Sequence, residues 1–166
     1  NVDDRDALRE ALLLLKAVST RLPLVWPVHP RARRNLELFG LLSLLEQANI
    51  ALLPPQGYLE MLGLLAAARL VLTDSGGIQE ETTALSVPCL TMRDNTERPI
   101  TVEQGTNTLV GRNQALALEC VDDVLRNGGK RGRIPELWDG RAADRIAADL
   151  ASWLRARRHA REQAAA

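Results

Sequence analysis

A glycine pair directly after a short apolar segment is the part of this sequence best suited to chemistry. Apolar residues 70–72 are followed by Thr-Asp-Ser-Gly-Gly and then by an amphipathic segment, so the pattern predicts a strand, a tight turn and a helix. Adjacent glycines let a backbone approach a ligand closely, and the first N–H groups of a helix have no partner within it. Such a turn suits a phosphate group, with Ser75, Gly76 and Gly77 as its contacts. The alternative is a plain turn that lets strand and helix pack.

A charged loop follows the next apolar segment. Residues 89–92 form another candidate strand, and Arg-Asp-Asn-Thr-Glu-Arg-Pro follows at 93–99. Ligands of open α/β sheets lie outside the carboxyl ends of the strands, so the pattern places this loop near the glycine turn. Arg98 is a candidate phosphate ligand because a guanidinium group is always charged and can donate two parallel hydrogen bonds. The alternative is that the arginines of the loop are solvated charges paired with its acids, Asp94 and Glu97.

Short apolar segments alternate with helical patterns along the chain. Asp3 or Asp4 can cap the first helix, whose apolar residues recur at helical spacing. Strand candidates lie at 24–28, 50–53, 70–72 and 89–92, with further helices at 31–39, 57–68, after the glycine turn, at 113–126 and after Gly140. The alternation predicts an α/β fold with a parallel sheet of about five or six strands and helices on both faces. A chain of 166 residues is expected to form one domain.

Composition narrows the classes of protein to which the chain can belong. An apolar fraction of 46% suits a folded domain, and 21 basic residues are balanced by 21 acidic residues. The balance gives no bias toward nucleic acid or anionic membrane. No apolar run approaches the roughly 20 residues that span a bilayer, and no secretory pattern is present, so a cytoplasmic location is expected. The two cysteines and two histidines form no metal-binding pattern, and neither a metal nor a cofactor is expected.

Several segments occur in an order that is specific to one enzyme family. They are Asp-Ser-Gly-Gly-Ile-Gln-Glu-Glu at 74–81, Val-Pro at 87–88, the charged loop at 93–99, Glu-Gln-Gly-Thr-Asn at 103–107 and Leu-Val-Gly at 109–111. Together they resemble the non-hydrolysing UDP-N-acetylglucosamine 2-epimerases. Pro-Val-His-Pro at 27–30 and the segment around Tyr58 are also similar to that family. The resemblance covers most of this chain, but only the second half of such an enzyme.

The resemblance has implications for architecture. The family has two Rossmann-like domains that face each other across a cleft, the arrangement known as GT-B. Residues 1–166 would be the C-terminal, UDP-binding domain, and the N-terminal domain that supplies most of the catalytic carboxylates would be absent. No catalytic residue is therefore assigned to this chain. Isolated from that domain, the chain is expected to be inactive and to bind nucleotide at most.

The resemblance also implies roles for individual residues. Glu81 would accept hydrogen bonds from the ribose hydroxyls, Arg98 would contact the diphosphate or the sugar with Glu97 orienting it, and Tyr58 would border the uracil. His29 would lie near a second, regulatory nucleotide sugar. Three of these residues also have a purely structural alternative: a favourable helix-dipole interaction for Glu81, ordinary packing for Tyr58 and a structural hydrogen bond for His29.

The function implied is the interconversion of UDP-N-acetylglucosamine and UDP-N-acetylmannosamine by elimination and re-addition of UDP. The expected partners are UDP or a UDP-N-acetylhexosamine, the N-terminal domain and a second copy of the chain. Two alternatives remain open. One is the donor-nucleotide domain of a GT-B glycosyltransferase, and the other is a sugar-nucleotide-binding domain without chemistry.

Overall fold

The computed structural model describes the backbone of residues 2–164 and the side chains of residues 2–158. Asn1, Ala165, Ala166 and the side chain of His159 lie outside the described residues. The chain divides into two compact units, Asn1–Arg133 and Ile134–Ala166, which are described separately below.

Helices and strands alternate through the first unit, as the sequence predicts. In chain order they are α1 (Arg5–Ser19), β1 (Leu24–Pro27), α2 (Pro30–Leu38), a short 3-10 helix (Leu42–Leu45), β2 (Ile50–Leu53), α3 (Tyr58–Ala67), β3 (Val71–Thr73), α4 (Gly76–Ala84), β4 (Cys89–Thr91), α5 (Pro99–Glu103), β5 (Asn107–Leu109) and α6 (Gln114–Asn127). Four strands and the longer helices match predicted segments within a few residues. The strand β5 has no counterpart among the candidate strands, because its three residues begin with a polar asparagine.

All strand pairs are parallel among the described residues. β1 pairs with β2, with Leu24 opposite Ile50, and β4 lies between β3 and β5, with Leu90 opposite Leu72 and Thr108. The parallel α/β fold is therefore confirmed. The hydrogen bonds nevertheless divide the five strands into a two-stranded and a three-stranded sheet, rather than one continuous sheet.

The three-stranded sheet has an apolar face and a polar face, because side chains of a strand point alternately to either side. Leu90 belongs to a buried cluster with residues of α1, α6 and neighbouring segments: Leu14, Val18, Leu70, Val110, Ala117, Val121 and Val124. The next residue, Thr91, donates a hydrogen bond to Asn107, which in turn donates to Gln79 of α4. Helices therefore cover both faces of this sheet, as predicted.

A second apolar cluster joins α1 to α2 and to the end of β1. Its buried members are Leu8, Leu12, Val28, Ala32, Leu36 and Leu41. The predicted cap of α1 is confirmed: Ala7 donates its backbone N–H to Asp4 Oδ1 over 2.8 Å. On α6, Leu116 is 37% exposed, while the adjacent Ala117 is fully buried.

The second unit contains the long helix α7 (Ala142–Ala164), which confirms the helix predicted after Gly140. Its large apolar side chains are more than half exposed: Ile146, Leu150, Trp153 and Leu154. The guanidinium group of Arg157 lies 4.7 Å from the centre of the Trp153 ring, a favourable cation–π distance. Within residues 2–164, neither this helix nor any other is long and apolar enough to cross a membrane.

The different burial of two leucines predicts that their replacement by alanine will change stability by different amounts. Leu12→Ala should lower the free energy of unfolding by about 2–5 kcal/mol, because the side chain is fully buried and its loss leaves a cavity. Leu59→Ala is the matched control, since Leu59 is 74% exposed, and it should change stability by about 0.5 kcal/mol or less. Urea unfolding measures both. Equal losses in the two variants would contradict the assigned core.

Candidate functional site

The N-terminus of α4 follows β3 after a turn of two residues. Ser75 precedes the helix and donates its backbone N–H to Thr73 Oγ1 over 3.1 Å, which shapes the turn. The Ser75 side chain is exposed and makes no capping hydrogen bond, whereas the side chains of Asp4 and Asn113 cap α1 and α6. The first amides of α4 are therefore left to an acceptor other than the Ser75 hydroxyl. The positive end of the helix dipole at this point favours an anion.

The loop after β4 closes over the same turn. A Cβ added at Gly76 would lie 2.8 Å from Glu97 Oε1 and 3.7 Å from Arg98 Cγ, so the end of the Glu97 side chain would have to move to make room for it. Gly77 is more open, because a Cβ there would have Ser75 Oγ as its nearest neighbour at 4.0 Å. The predicted convergence of the glycine turn with the charged loop is present in the structure.

The ion pairs of the charged loop differ from the expected arrangement. Arg98 pairs with Glu80 of α4 over 3.2 Å, whereas Glu97 pairs with Arg93 over 3.0 Å. The Glu97 carboxylate pairs with Arg93 rather than with Arg98, and the expectation that Glu97 orients Arg98 stays a prediction. Each side chain of the Arg98–Glu80 pair is at least 40% exposed, and exposed ion pairs contribute only about 0–1 kcal/mol. The ion pair with Glu80 therefore holds the Arg98 guanidinium group only weakly.

In the charged loop, the carboxyl group of Glu97 has a pKa that departs from its ordinary value. Its pKa lies below the ordinary value chiefly because its own backbone N–H donates to the carboxylate. The nearby positive charges of Arg93 and Arg98 lower the pKa further. The charged form of Glu97 is therefore favoured by its own backbone N–H and by two nearby arginines.

Glu81 lies on α4 one turn beyond Gly77 and on the same side of the helix. It is half-buried, and its carboxylate makes no hydrogen bond or ion pair within the described part of the chain. Its acceptor oxygens are therefore available to a ligand that extends along the helix from the N-terminus. The helix-dipole alternative is weaker for Glu81 than for residues of the first turn, because the effect falls off within that turn.

Tyr58 and His29 lie at the starts of two other helices. Tyr58 is the first residue of α3, which packs against α4, and its side chain is 67% exposed. His29 caps α2, since its Nδ1 accepts the backbone N–H of Arg31 over 3.2 Å. In residues 2–158, no hydrogen bond or ion pair joins either side chain to the α4 turn. The structural hydrogen bond considered for His29 is thus present, and its regulatory role stays a prediction.

Two clefts, each partly open to solvent, lie away from the α4 turn. One, of about 430 Å³, is lined by α1 together with Met92, Gly111 and Arg112. The other, of about 300 Å³, lies between α6 and the starts of β4 and β5. Neither is lined by Ser75 or Arg98. The described side chains contain no group of three acidic, histidine or cysteine residues that could hold a metal ion.

Sequence reasoning missed a layer of buried polar side chains beneath the charged loop. Its fully or nearly fully buried members are Gln79, Thr82, Thr83, Thr91, Thr101, Thr106 and Asn107. The available signal was Thr91, a polar residue within the otherwise apolar candidate strand at 89–92. Its partner is distant in sequence, so the pattern alone does not show what it binds.

Comparison with known proteins gives a consistent result. The family model for UDP-N-acetylglucosamine 2-epimerase matches residues 1–151. The UDP-N-acetylglucosamine 2-epimerase of Methanococcus maripaludis is 40% identical over 130 residues, which are 76% of this chain and 36% of that protein. The UDP-2,3-diacetamido-2,3-dideoxy-D-glucuronate 2-epimerase of Pseudomonas aeruginosa is 37% identical over 161 residues, covering 91% of this chain and 41% of that protein.

A solved structure is similar over almost the whole chain. It is the UDP-GlcNAc 2-epimerase of Methanocaldococcus jannaschii in complex with UDP-GlcNAc and UDP, with a TM-score of 0.81 and 37% identity. The match covers 92% of this chain and 42% of that one. The chain thus spans well under half the length of the relatives it matches.

Two glycine substitutions test the close approach of the loops. Gly76→Ala is expected to displace the Glu97 side chain, and Gly77→Ala is the control that should leave it in place. The obstructing atom ends a flexible side chain, so the free energy of unfolding should change by about 1 kcal/mol or less. Backbone NMR signals of the loop would report the displacement. Unchanged signals of Glu97 and Arg98 in Gly76→Ala would contradict the geometry.

The pKa of Glu97 is open to a second test. Because its folded pKa is lowered, ionised Glu97 contributes stability that is present above the unfolded pKa and is lost as pH falls through the folded pKa. A carboxyl-carbon NMR titration should place the midpoint below that of an unfolded peptide. Arg93→Gln should restore the pKa only in part, because the main cause is the backbone N–H of Glu97 itself. Full restoration would identify the ion pair as the main cause instead.

Proposed function

Since this chain belongs to the UDP-N-acetylglucosamine 2-epimerase family, we propose that it is the nucleotide-binding domain of a longer epimerase. Residues 1–166 then form one Rossmann-like half of a GT-B arrangement, and the α4 turn faces a cleft shared with a second domain. The similarity to an epimerase solved with UDP-GlcNAc and UDP supports this proposal.

The observation that carries the proposal is the charged loop lying over the uncapped start of α4. The N-terminal amides of Gly76 and Gly77 and the guanidinium group of Arg98 supply donors and positive charge to a diphosphate. In the proposed reaction, the bond from C1 of the sugar to the UDP oxygen breaks as the C2 proton leaves, and UDP departs with the electron pair. Donors that stabilise the charge developing on UDP lower the barrier to this elimination.

The remaining site residues follow the length of α4. With the diphosphate at the helix N-terminus, Glu81 lies one turn farther along, about 5.4 Å, and accepts hydrogen bonds from the vicinal ribose hydroxyls. Tyr58, on the neighbouring α3, borders the base with its exposed ring. The carboxylates that remove and return the C2 proton belong to the second domain, so this chain binds UDP without catalysing epimerisation.

The identity of the sugar is not set by these contacts. One relative epimerises UDP-N-acetylglucosamine, and another acts on a diacetamido uronic acid derivative at a similar level of identity to this chain. Both substrates share the UDP group that the α4 turn and Arg98 are proposed to hold. We therefore assign UDP to this domain and the selection of the sugar mainly to the rest of the enzyme. A donor-nucleotide domain of a glycosyltransferase is disfavoured by the family match.

Titration calorimetry of the folded chain with UDP tests the proposal. Arg98→Ala should weaken UDP binding roughly 10- to 100-fold, because a charge-assisted hydrogen bond to phosphate is lost. It should leave uridine binding unchanged, since uridine has no phosphate. Glu81→Ala should weaken both ligands. Arg33→Ala and Glu37→Ala are the matched controls, because these residues form an exposed ion pair on α2.

Three outcomes separate the alternatives. Absence of UDP binding by a folded chain would contradict binding by this domain alone, and the measurement would be repeated with the complete enzyme. Equal losses in the Arg98 variant and the Arg33 control would remove the assigned role of Arg98. Strong UDP binding by a complete protein that does not epimerise any UDP-N-acetylhexosamine would favour a binding domain without chemistry.

A further inference from the structure

A closed circuit of hydrogen bonds surrounds the backbone of Arg98. The Arg98 N–H donates to Thr96 Oγ1 over 2.9 Å, and the Arg98 carbonyl accepts from Thr101 Oγ1 over 2.7 Å. Both hydroxyl groups are in turn bonded to side chains beneath the loop. The backbone N–H and carbonyl of Arg98 are therefore both held by side chains, and the carbonyl also accepts the backbone N–H of Thr101 over 3.0 Å.

The two branches of the circuit meet at a buried pair of amides. Thr96 Oγ1 donates to Gln79 Oε1 over 2.6 Å, and Asn107 Nδ2 donates to the same oxygen over 3.1 Å. Asn107 Nδ2 also donates to Thr101 Oγ1 over 3.0 Å. Gln79, Asn107 and Thr101 are fully buried. The circuit thus ties the Arg98 backbone to α4 through Gln79 and to the sheet through Asn107.

The buried polar side chains beneath the charged loop are better suited to orienting the loop than to filling space alone. Burying amides is costly unless their hydrogen bonds are made, and Gln79 Nε2 is buried without a partner among the described residues. An apolar side chain at position 79 would avoid that cost but could not accept from Thr96 and Asn107. Thr96 itself needs a hydroxyl, because it accepts from one group and donates to another at the same time.

We infer that Thr96 is a positioning residue, which together with Thr101 and the buried Gln79–Asn107 pair sets the Arg98 backbone over the N-terminus of α4. The inference deepens the proposed function, on which its ligand-binding consequence rests. Arg98 is itself about half exposed and carries a long, flexible side chain. Fixing its backbone keeps the guanidinium group within reach of an anion at Gly76, so less freedom is lost on binding. Thr96 acts through Arg98 and needs no contact with the ligand.

The decisive comparison is Thr96→Val against Thr96→Ser. Valine has nearly the same shape but cannot replace either hydrogen bond, whereas serine keeps the hydroxyl. Thr96→Val is expected to weaken UDP binding about 5- to 30-fold and to change uridine binding by about twofold or less. Thr96→Ser should bind UDP within about threefold of the parent chain. Thr108→Val is the matched control, because Thr108 is half-buried and its hydroxyl makes no hydrogen bond within residues 2–158.

A measurement without ligand separates this inference from the proposed function. The Arg98 amide of the parent chain and of Thr96→Ser should exchange with solvent about tenfold or more slowly than that of Thr96→Val, as followed by NMR, because only the first two retain its acceptor. Loss of protection together with selective loss of UDP affinity supports the positioning role. Unchanged protection in Thr96→Val overturns it, whether or not UDP binds. Unchanged UDP affinity despite lost protection also overturns it, because the backbone contact would then be purely structural.

If the parent chain does not bind UDP, the proposed function fails for this domain alone. The exchange data then decide whether Thr96 holds the Arg98 backbone.

Discussion

The hydrogen bond between the side-chain amides of Asn107 and Gln79 is the contact on which the geometry of the charged loop depends. It joins β5 to α4 across 28 residues of sequence, in a part of the core where both groups are fully buried. A buried amide that loses its partner costs about 1–3 kcal/mol, and here one break would disturb several dependent bonds. Thr96 and Thr101 bond to this pair, and the Arg98 backbone bonds to them.

The three-stranded sheet separates stability from positioning. Its apolar face packs Leu90 against α1 and α6, where close-packed aliphatic side chains supply the hydrophobic stabilisation. Its other face carries the polar layer, which stabilises less per residue but fixes direction, since hydrogen bonds depend on angle as well as distance. Strand β4 therefore contributes to both faces of the sheet: Leu90 belongs to the apolar core, while Thr91 donates a hydrogen bond to Asn107.

The side chains of Glu97 and Arg98 lie against Gly76 at the start of α4, and both are held in ion pairs. The Ser75 side chain makes no capping hydrogen bond, and Arg98 forms an exposed ion pair with Glu80 that contributes only about 0–1 kcal/mol. Arg93 occupies Glu97, so the second carboxylate of the region already has a partner. The polar layer below keeps the backbone of this loop in place. The exposed ion pairs of the charged loop can therefore rearrange, while buried hydrogen bonds hold the loop backbone beneath them.

Local patterns in the sequence determined most of the order of helices and strands, a cap of the first helix at Asp3 or Asp4, the glycine turn and the family to which the chain belongs. These features depend on residues within one or two helical turns of each other, or on an ordered motif. They do not show that Glu80 pairs with Arg98, that Leu116 is exposed while Ala117 is buried, or that β5 exists as a strand. Nor do they show that Gln79 meets Asn107. Such contacts were decided by the tertiary structure, because they join residues that only the packing of α4 and α5 against the sheet brings within hydrogen-bonding distance.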